Sequence, residues 1–169
     1  MIEKPSEQRV FGALAREPTR RFGVRELARA SGVTIPTVLL VVKAFKKSGY
    51  VKEEKVGNRR EIRASMDQEF LDAKRVWNLR QVSESGLLGA LREQNAKAVV
   101  LFGSYSRGGD TEGSDIDIAI IGGKEFEIGM FEKRLHRKIS LHAMKSGIPK
   151  DLLTNLANGI VLDGYLEVA

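Results

Sequence analysis

Two aspartates near the middle of the chain have the spacing of a metal site. Asp115 and Asp117 lie in the stretch SDIDIAII, residues 114–121, which is otherwise mostly apolar. If this stretch is a strand, alternation puts the two carboxylates on one face and Ile116 and Ile118 on the other. Two carboxylates on one face of an apolar strand are costly unless a cation joins them. Oxygen ligands with no cysteine or histidine close by in the sequence favour Mg²⁺.

A glycine-serine pair precedes these aspartates and directly follows an apolar run. The run AVVLF, residues 98–102, is typical of a buried strand, and Gly103 and Ser104 come next. A helix that begins at Gly103 leaves backbone N–H groups and the Ser104 hydroxyl available to phosphate oxygens, and Arg107 adds positive charge. A phosphate site at the end of one strand and a metal site on the next are the components of phosphoryl or nucleotidyl transfer.

Together, these motifs resemble those of a known superfamily. The stretch GSYSRGGDTEGSDIDIAI, residues 103–120, is similar to the glycine-serine turn and Asp-x-Asp motif of the nucleotidyltransferase superfamily that includes DNA polymerase beta. The likeness is closer to the minimal nucleotidyltransferase domains of prokaryotes. The resemblance implies a mixed β-sheet flanked by helices and the transfer of a nucleotide, AMP from ATP, to a protein or RNA acceptor. It also implies that Gly103 and Ser104 hold the triphosphate. Asp115 and Asp117 would then bind Mg²⁺ and be the catalytic residues.

One position departs from the family pattern. Catalytic members carry a third carboxylate on the strand after the long helix, in a stretch such as Lys-Val-Asp-Leu. The matching stretch here is KISL, residues 138–141, so Ser140 stands where an aspartate is expected. Serine is a poor ligand for Mg²⁺ and is not a base at neutral pH. We therefore expect catalysis to be weakened and the binding of a metal-nucleotide to be less affected.

Other groups could replace the missing carboxylate, but the sequence gives no reason to prefer one of them. His142 has the strand parity of Ser140 and could face the same site, although we expect a satisfied or exposed histidine. The remaining candidates are acidic residues that we expect to be surface charges: Asp110, Glu112, Glu125, Glu127 and Asp163.

The sequence pattern of the N-terminal third predicts three helices followed by a β-hairpin. Ser6 is expected to cap the first helix and Thr34 the third, with Pro36 in the first turn of the third helix, where proline costs little. Residues 57–58, Gly-Asn, are a turn signal between two short alternating strands. Over residues 5–65 this order resembles a winged helix-turn-helix domain, which implies binding to DNA.

In such a domain the third helix reads DNA, and here that helix is unusually apolar. The core needs Val38 and Val42, so the residues between them are expected on the exposed face: Leu39, Leu40 and Val41. They would suit a second subunit or the other domain better than base edges, and a homodimer is expected. The DNA interpretation depends on polar and basic side chains that would contact mainly phosphate: Thr34, Thr37, Lys43, Lys46, Lys47, Arg59 and Arg60.

The predicted fold class is α+β, with two domains and a connector. Residues 1–65 form the winged helix-turn-helix domain, residues 66–96 a helical connector, and residues 97–169 a minimal nucleotidyltransferase domain. The first of these carries 15 Lys and Arg against 7 Asp and Glu, whereas the rest of the chain carries 13 against 15. This asymmetry favours contact with nucleic acid at one end. The whole order is similar to that of proteins, largely archaeal, that fuse these two domains.

Composition excludes several other classes. The 169 residues include no cysteine and two histidines, which excludes a disulfide scaffold and a thiol nucleophile and argues against a histidine-built zinc site. No apolar run approaches the ~18 residues that span a bilayer. The first ten residues lack the apolar segment of a signal peptide. We therefore expect a soluble cytoplasmic protein with no membrane partner.

Three functions fit these observations. The first is an enzyme that transfers a nucleotide, with the winged helix positioning the target. The second is a transcriptional regulator that binds DNA and responds to nucleotide without chemistry. The third is an antitoxin-like partner of a HEPN protein, which the likeness to minimal nucleotidyltransferases implies. The intact glycine-serine and Asp-x-Asp motifs favour the enzyme, whereas Ser140 favours the regulator.

Overall fold

The computed structural model describes residues 4–145 and 148–167 of the chain. The chain divides into two compact units, Met1–Lys74 and Arg75–Ala169. No single helix among the described residues is both long and apolar enough to span a bilayer. Two neighbouring helices are long and apolar enough only when they are counted together, and the chain bends by 100° between them.

The N-terminal unit has the predicted order of three helices followed by a hairpin. Its elements are α1 Pro5–Arg16, β1 Phe22–Gly23, α2 Val24–Ser31, α3 Ile35–Lys47, β2 Val51–Val56 and β3 Arg59–Ala64. The short strand β1 was not predicted. It pairs with β3, which gives a three-stranded antiparallel sheet in the order β1-β3-β2.

The first turns of α1 and α3 follow from single residues. The Thr34 hydroxyl accepts the N–H of Thr37 at 3.4 Å, and Pro36 lies in the first turn of α3, as predicted. The predicted cap at Ser6 is wrong. Helix α1 already begins at Pro5, whose fixed φ suits a first helical position, so Ser6 lies inside that turn.

Aromatic rings hold the N-terminal unit together. The ring of Phe11 in α1 lies 6.1 Å from that of Phe45 in α3 and 5.3 Å from that of Phe70, measured between centroids. Tyr50 packs edge-on against Phe11 and Phe45. The three phenylalanines are buried. Each such side chain contributes about 1.5–3 kcal/mol on burial, so this cluster is a main source of the unit's stability.

The C-terminal unit is built on a mixed sheet. From the helix that leads into it, the elements are α4 Gln68–Glu84, α5 Leu87–Arg92, β4 Ala98–Phe102, α6 Gly103–Arg107, β5 Ile116–Ile121, α7 Gly129–Leu135, β6 Ile139–Met144, α8 Lys150–Ala157 and β7 Ile160–Gly164. The strand order is β6-β5-β4-β7. Strand β4 is antiparallel to β5 and β7, and β5 and β6 are parallel. A mixed sheet flanked by helices is the predicted architecture of this part of the chain.

The two faces of this sheet carry different cores. On one face, Ile118 of β5 packs among side chains of α4, α5 and α7. On the other face, Ala119 packs with Val100 of β4 and Leu156 of α8. Because side chains alternate along a strand, Asp117 belongs to the second face. The candidate site therefore lies on the face of the sheet that carries α8.

Candidate nucleotide and metal site

Three neighbouring strands bring the sequence motifs to one end of the sheet. Strand β4 ends at Phe102, and its antiparallel pairing with β5 puts Phe102 beside Asp117. The parallel pairing of β5 with β6 puts Ser140 on the other side of Asp117. Gly103 follows Phe102 and begins α6. One row across the sheet therefore contains Phe102, which leads into the glycine-serine turn, then Asp117, and then Ser140. Ser140 is at the position where a third carboxylate was expected.

Gly103 and Asp117 approach each other closely. Gly103 has φ 74°, in the left-handed region that residues with a side chain rarely adopt. Asp117 Oδ2 occupies the space in which a Cβ at Gly103 would lie. The Ser106 hydroxyl donates a hydrogen bond to the Gly103 carbonyl at 2.9 Å and fastens the turn. Both the backbone conformation and the carboxylate therefore require glycine at this position.

The two aspartates of the Asp-x-Asp motif have different surroundings. Asp115 is exposed and immediately precedes β5, whereas Asp117 is half-buried within it. Burial raises the pKa of the Asp117 carboxyl above its ordinary value; His142 opposes this rise and Asp115 adds to it. A bound cation would offset both the burial of this charge and the repulsion between the two carboxylates.

The side chain of His142, on β6, approaches Asp117 on the neighbouring strand β5. Its Nε2 is 3.9 Å from Asp117 Oδ1, and its ring lies 5.3 Å from the Phe102 ring between centroids. The side chain therefore faces the site, as strand parity allowed, and it is also about one-third exposed. The signal that favoured this placement was strand parity, because Ser140 and His142 share one face of β6.

Among the residues that the structure describes, no third acidic side chain joins Asp115 and Asp117. Within residues 4–145 and 148–167 there is no group of three or more acidic, histidine or cysteine side chains that could hold a metal ion. Asp163 instead pairs with Arg92 at 3.1 Å, and its strand β7 lies on the side of β4 away from β5. Three other candidates are exposed, as expected: Glu112, Glu125 and Glu127.

The carboxylates that are present fit a magnesium ion carried by a nucleotide. Mg²⁺ is commonly held by one or two carboxylates together with substrate phosphates and water, and seldom by a cage of protein ligands alone. Asp115 and Asp117 supply two carboxylates at this end of the sheet. The raised pKa of Asp117 indicates a negative charge that its surroundings do not fully compensate. This donor set therefore suits an ion whose remaining ligands come from phosphates.

The other two residues of the predicted nucleotide site lie on α6. Ser104 is half-buried, and its hydroxyl makes no hydrogen bond to any residue that the structure describes. Arg107 is exposed one helical turn after Gly103 and has no ion pair within the same residues. Helix α6 then ends at Gly108, which has φ 75°. The Ser104 hydroxyl and the Arg107 guanidinium on α6 are therefore both available to a ligand.

Asp110 is a buried residue and not the surface charge that we expected. Asn78 donates one hydrogen bond to its carboxylate and another to the Tyr105 carbonyl, each at 2.8 Å. Arg137 lies 3.7 Å from the same carboxylate and also donates to the Glu112 carbonyl. Burial, and then the charge of Asp110, raise the pKa of the Tyr105 hydroxyl. This network anchors the loop between α6 and β5, which leads into the Asp-x-Asp motif.

Helix α3 exposes two of the three apolar residues expected on its surface. Leu39 is 42% exposed and Leu40 71% exposed, but Val41 is only 5% exposed. The prediction for Val41 is therefore wrong. Residues three positions apart lie on the same face of a helix, so Val41 follows Val38 into the core.

Three of the seven residues expected to contact DNA lie together in the N-terminal unit. Lys43, Lys46 and Arg60 line a groove of about 340 Å³, along with Glu53 and two apolar side chains of α3. Glu53 lies 2.6 Å from Lys46 Nζ and 3.6 Å from an Arg60 nitrogen, so it partly compensates both charges. The other four do not line this groove: Thr34, Thr37, Lys47 and Arg59.

Comparison with known proteins adds one finding about the second unit. No curated protein matches the chain. The family model of the nucleotidyltransferase domain matches residues 84–161, which include Gly103, Asp115 and Asp117. Taken with the mixed sheet, this match assigns a nucleotidyltransferase fold to this part of the chain.

Proposed function

We propose that the C-terminal unit binds a magnesium–nucleoside triphosphate, with ATP as the first candidate, and transfers its nucleotidyl group to a hydroxyl of an acceptor. The observation that carries this proposal is the approach of the half-buried Asp117 carboxylate to Gly103 at the end of the sheet. The nucleotidyltransferase match over residues 84–161 supports it, because that range includes both residues.

Each residue of the site has a role in this proposal. The backbone at Gly103 and the hydroxyl of Ser104 are available to bind triphosphate oxygens, and Arg107 adds positive charge. Asp115 and Asp117 would hold Mg²⁺, which neutralises phosphate charge when bound. The acceptor oxygen forms a bond to the α-phosphorus, the bond from that phosphorus to the bridging oxygen breaks, and pyrophosphate leaves. The proton of the acceptor hydroxyl passes to water.

Ser140 sets the expected rate of this transfer. A positioned carboxylate that accepts the hydroxyl proton commonly contributes a factor of about 10² to 10⁴. Ser140 lies in the register position beside Asp117 and offers no such base. We therefore propose transfer that is slower by about this factor than in a site with three carboxylates.

The same serine favours a second candidate function, a transcriptional regulator that responds to nucleotide without transferring it. In this case Mg²⁺ and ATP would bind at the same residues, and the N-terminal unit would provide the output. The order of three helices followed by a hairpin supports a winged helix-turn-helix domain there. The two functions differ in whether a covalent product forms.

We further propose that the N-terminal unit binds DNA chiefly through phosphates. Exposed cations without an ion pair among the described residues support this proposal: Lys43, Lys47 and Arg59. Leu39 and Leu40 are exposed where base contacts would be made, and their apolar side chains offer no hydrogen bonds to base edges. Such binding depends strongly on salt and weakly on sequence.

Incubation with α-labelled ATP and Mg²⁺ in an extract of the source organism tests the enzyme. The variant that carries both Asp115→Ala and Asp117→Ala runs beside the wild type as its control. Label on a protein or RNA only with the wild type supports transfer and identifies the acceptor class. Absence of label, with Mg²⁺–ATP binding still measurable by calorimetry, supports the regulator and overturns the enzyme.

A further inference from the structure

His142 offers a nitrogen to the site in which three carboxylates were expected. It lies on β6 beside Ala119 of β5, one alternation beyond the pair formed by Ser140 and Asp117. Two residues along a strand span roughly 7 Å. The imidazole therefore reaches back along the strand to come within 3.9 Å of Asp117 Oδ1.

His142 and Asp117 are close enough for one metal ion to contact both side chains after a small movement. At 3.9 Å, His142 Nε2 and Asp117 Oδ1 are too far apart for a direct hydrogen bond. Transition-metal bonds to imidazole nitrogen and carboxylate oxygen are each about 2.0–2.2 Å long. Two neighbouring ligands of one ion with such bonds lie roughly 3.0–3.5 Å apart, so His142 and Asp117 would have to approach each other by about half an ångström to share an ion. Both side chains are about one-third exposed, so the gap is open to an ion.

We propose that His142 is a metal ligand together with Asp117 and replaces the carboxylate that Ser140 does not supply. The inference rests on the proposed metal-nucleotide site and changes its metal preference. Mg²⁺ binds oxygen ligands almost exclusively, whereas Mn²⁺ accepts the same oxygens and, as a first-row transition metal, also gains from a nitrogen ligand. Beside nucleotide phosphates, a site with one imidazole and one carboxylate therefore favours Mn²⁺ over Mg²⁺.

The sequence provides a matched control for this proposal. The chain has two histidines, His136 and His142. His136 is exposed at the end of α7, ahead of β6. Replacing either residue by glutamine removes one imidazole, and only the change at His142 should affect the metal.

Pulsed electron paramagnetic resonance of the full chain loaded with Mn²⁺ and inorganic triphosphate, which contains no nitrogen, tests the ligation directly. The wild type and His136→Gln should show a ¹⁴N coupling from a bound imidazole, and His142→Gln should lack it. Bound Mn²⁺ that shows no ¹⁴N coupling in the wild type overturns the role of His142 while the carboxylate site stands. Failure of Mn²⁺ to bind even in the presence of triphosphate overturns both this inference and the proposed metal site.

Calorimetry with each metal in the presence of inorganic triphosphate gives a second readout that needs no activity. His142→Gln should lower Mn²⁺ affinity by about tenfold or more, as loss of a supporting metal-site group commonly does. Its Mg²⁺ affinity should change far less, because Mg²⁺ gains little from imidazole. Equal losses for the two metals overturn the selectivity, and thermal unfolding of the same variant establishes that it is folded.

Discussion

Asp117 lies directly beside Ser140 in the parallel register of β5 and β6. In catalytic nucleotidyltransferases the position of Ser140 is the one expected to hold a third carboxylate. His142, on the same face of β6, brings its Nε2 to 3.9 Å from the Asp117 carboxylate. This end of the sheet therefore has two carboxylates, a serine and an imidazole in place of three carboxylates, and the predictions for Ser140 and Asp117 depend on that arrangement.

Ser140→Asp should speed nucleotide transfer. The new carboxylate would lie beside Asp117 and could accept the proton of the attacking hydroxyl, so the rate should rise by about 10² or more. Transfer of label from α-labelled ATP measures this change. Ser83→Asp, at an exposed position on α4, is the control and should leave the rate unchanged. A rate for Ser140→Asp no higher than that of the wild type, with nucleotide binding intact, would contradict the assignment of position 140.

Gly103→Ala should weaken both the fold and nucleotide binding. The added Cβ would occupy the space of Asp117 Oδ2, and the left-handed backbone would cost about 1–2 kcal/mol. Thermal unfolding and calorimetry with Mg²⁺–ATP measure the two effects. Gly113→Ala is the control, since its Cβ would meet no atom within 4 Å. Nucleotide affinity equal to that of the wild type would count against the role of this turn.

Asp117→Asn should stabilise the protein at neutral pH when no divalent metal is present. The pKa of Asp117 is raised in the folded state above its ordinary 3.8. The folded state therefore holds this proton more tightly than the unfolded state, and stability falls as pH rises through the folded pKa. Asparagine does not ionise, so the Asp117→Asn variant does not lose this stability as pH rises.

The melting temperature measured in a chelator across pH tests this sign. Asp117→Asn should melt above the wild type at pH 7, and the difference should fade as pH falls below 3.8, the ordinary value. Asp72→Asn, at an exposed position on α4, is the matched control for the loss of one carboxylate. A wild type that is the more stable of the two at pH 7 would mean that His142 outweighs the burial of Asp117.

Asp110→Ala should be strongly destabilising although the residue touches no proposed ligand. Its removal leaves Asn78 and Arg137 without a buried carboxylate, and breaking a buried pair costs about 3–5 kcal/mol. Urea unfolding measures this loss. Asp163→Ala breaks an exposed pair with Arg92 and should cost no more than about 1 kcal/mol. Similar losses for the two variants would show that the Asp110 network does not anchor the loop.

The parts of the site that could be predicted are local in sequence. Gly103 ends an apolar run, and alternation along β5 separates Asp117 from Ile116 and Ile118. The parity of β6 also put Ser140 and His142 on one face. These relations need only the period of a strand and the position of a glycine, so the sequence was sufficient for them.

The parts that were missed depend on packing between distant segments. The buried carboxylate of Asp110 accepts a hydrogen bond from Asn78, which lies 32 residues earlier in the chain. No sequence motif indicates that this pair forms. The approach of His142 to Asp117 depends on which strand lies beside β5, and periodicity does not decide strand order. The burial of Val41 could have been predicted from the sequence. Val41 follows Val38 by three residues, and residues with this spacing lie on the same face of a helix.

Calorimetric titration of the full chain with Mg²⁺–ATP tests the central claim most directly. The wild type should bind one nucleotide, and the variant with Asp115→Ala and Asp117→Ala should lose Mg²⁺-dependent binding while keeping the melting temperature of a folded protein. The control replaces Glu125 and Glu127, two exposed carboxylates with the same spacing after β5, by alanine, and it should bind like the wild type. Unchanged binding by the double aspartate variant would contradict the assignment of the metal-nucleotide site to this end of the sheet.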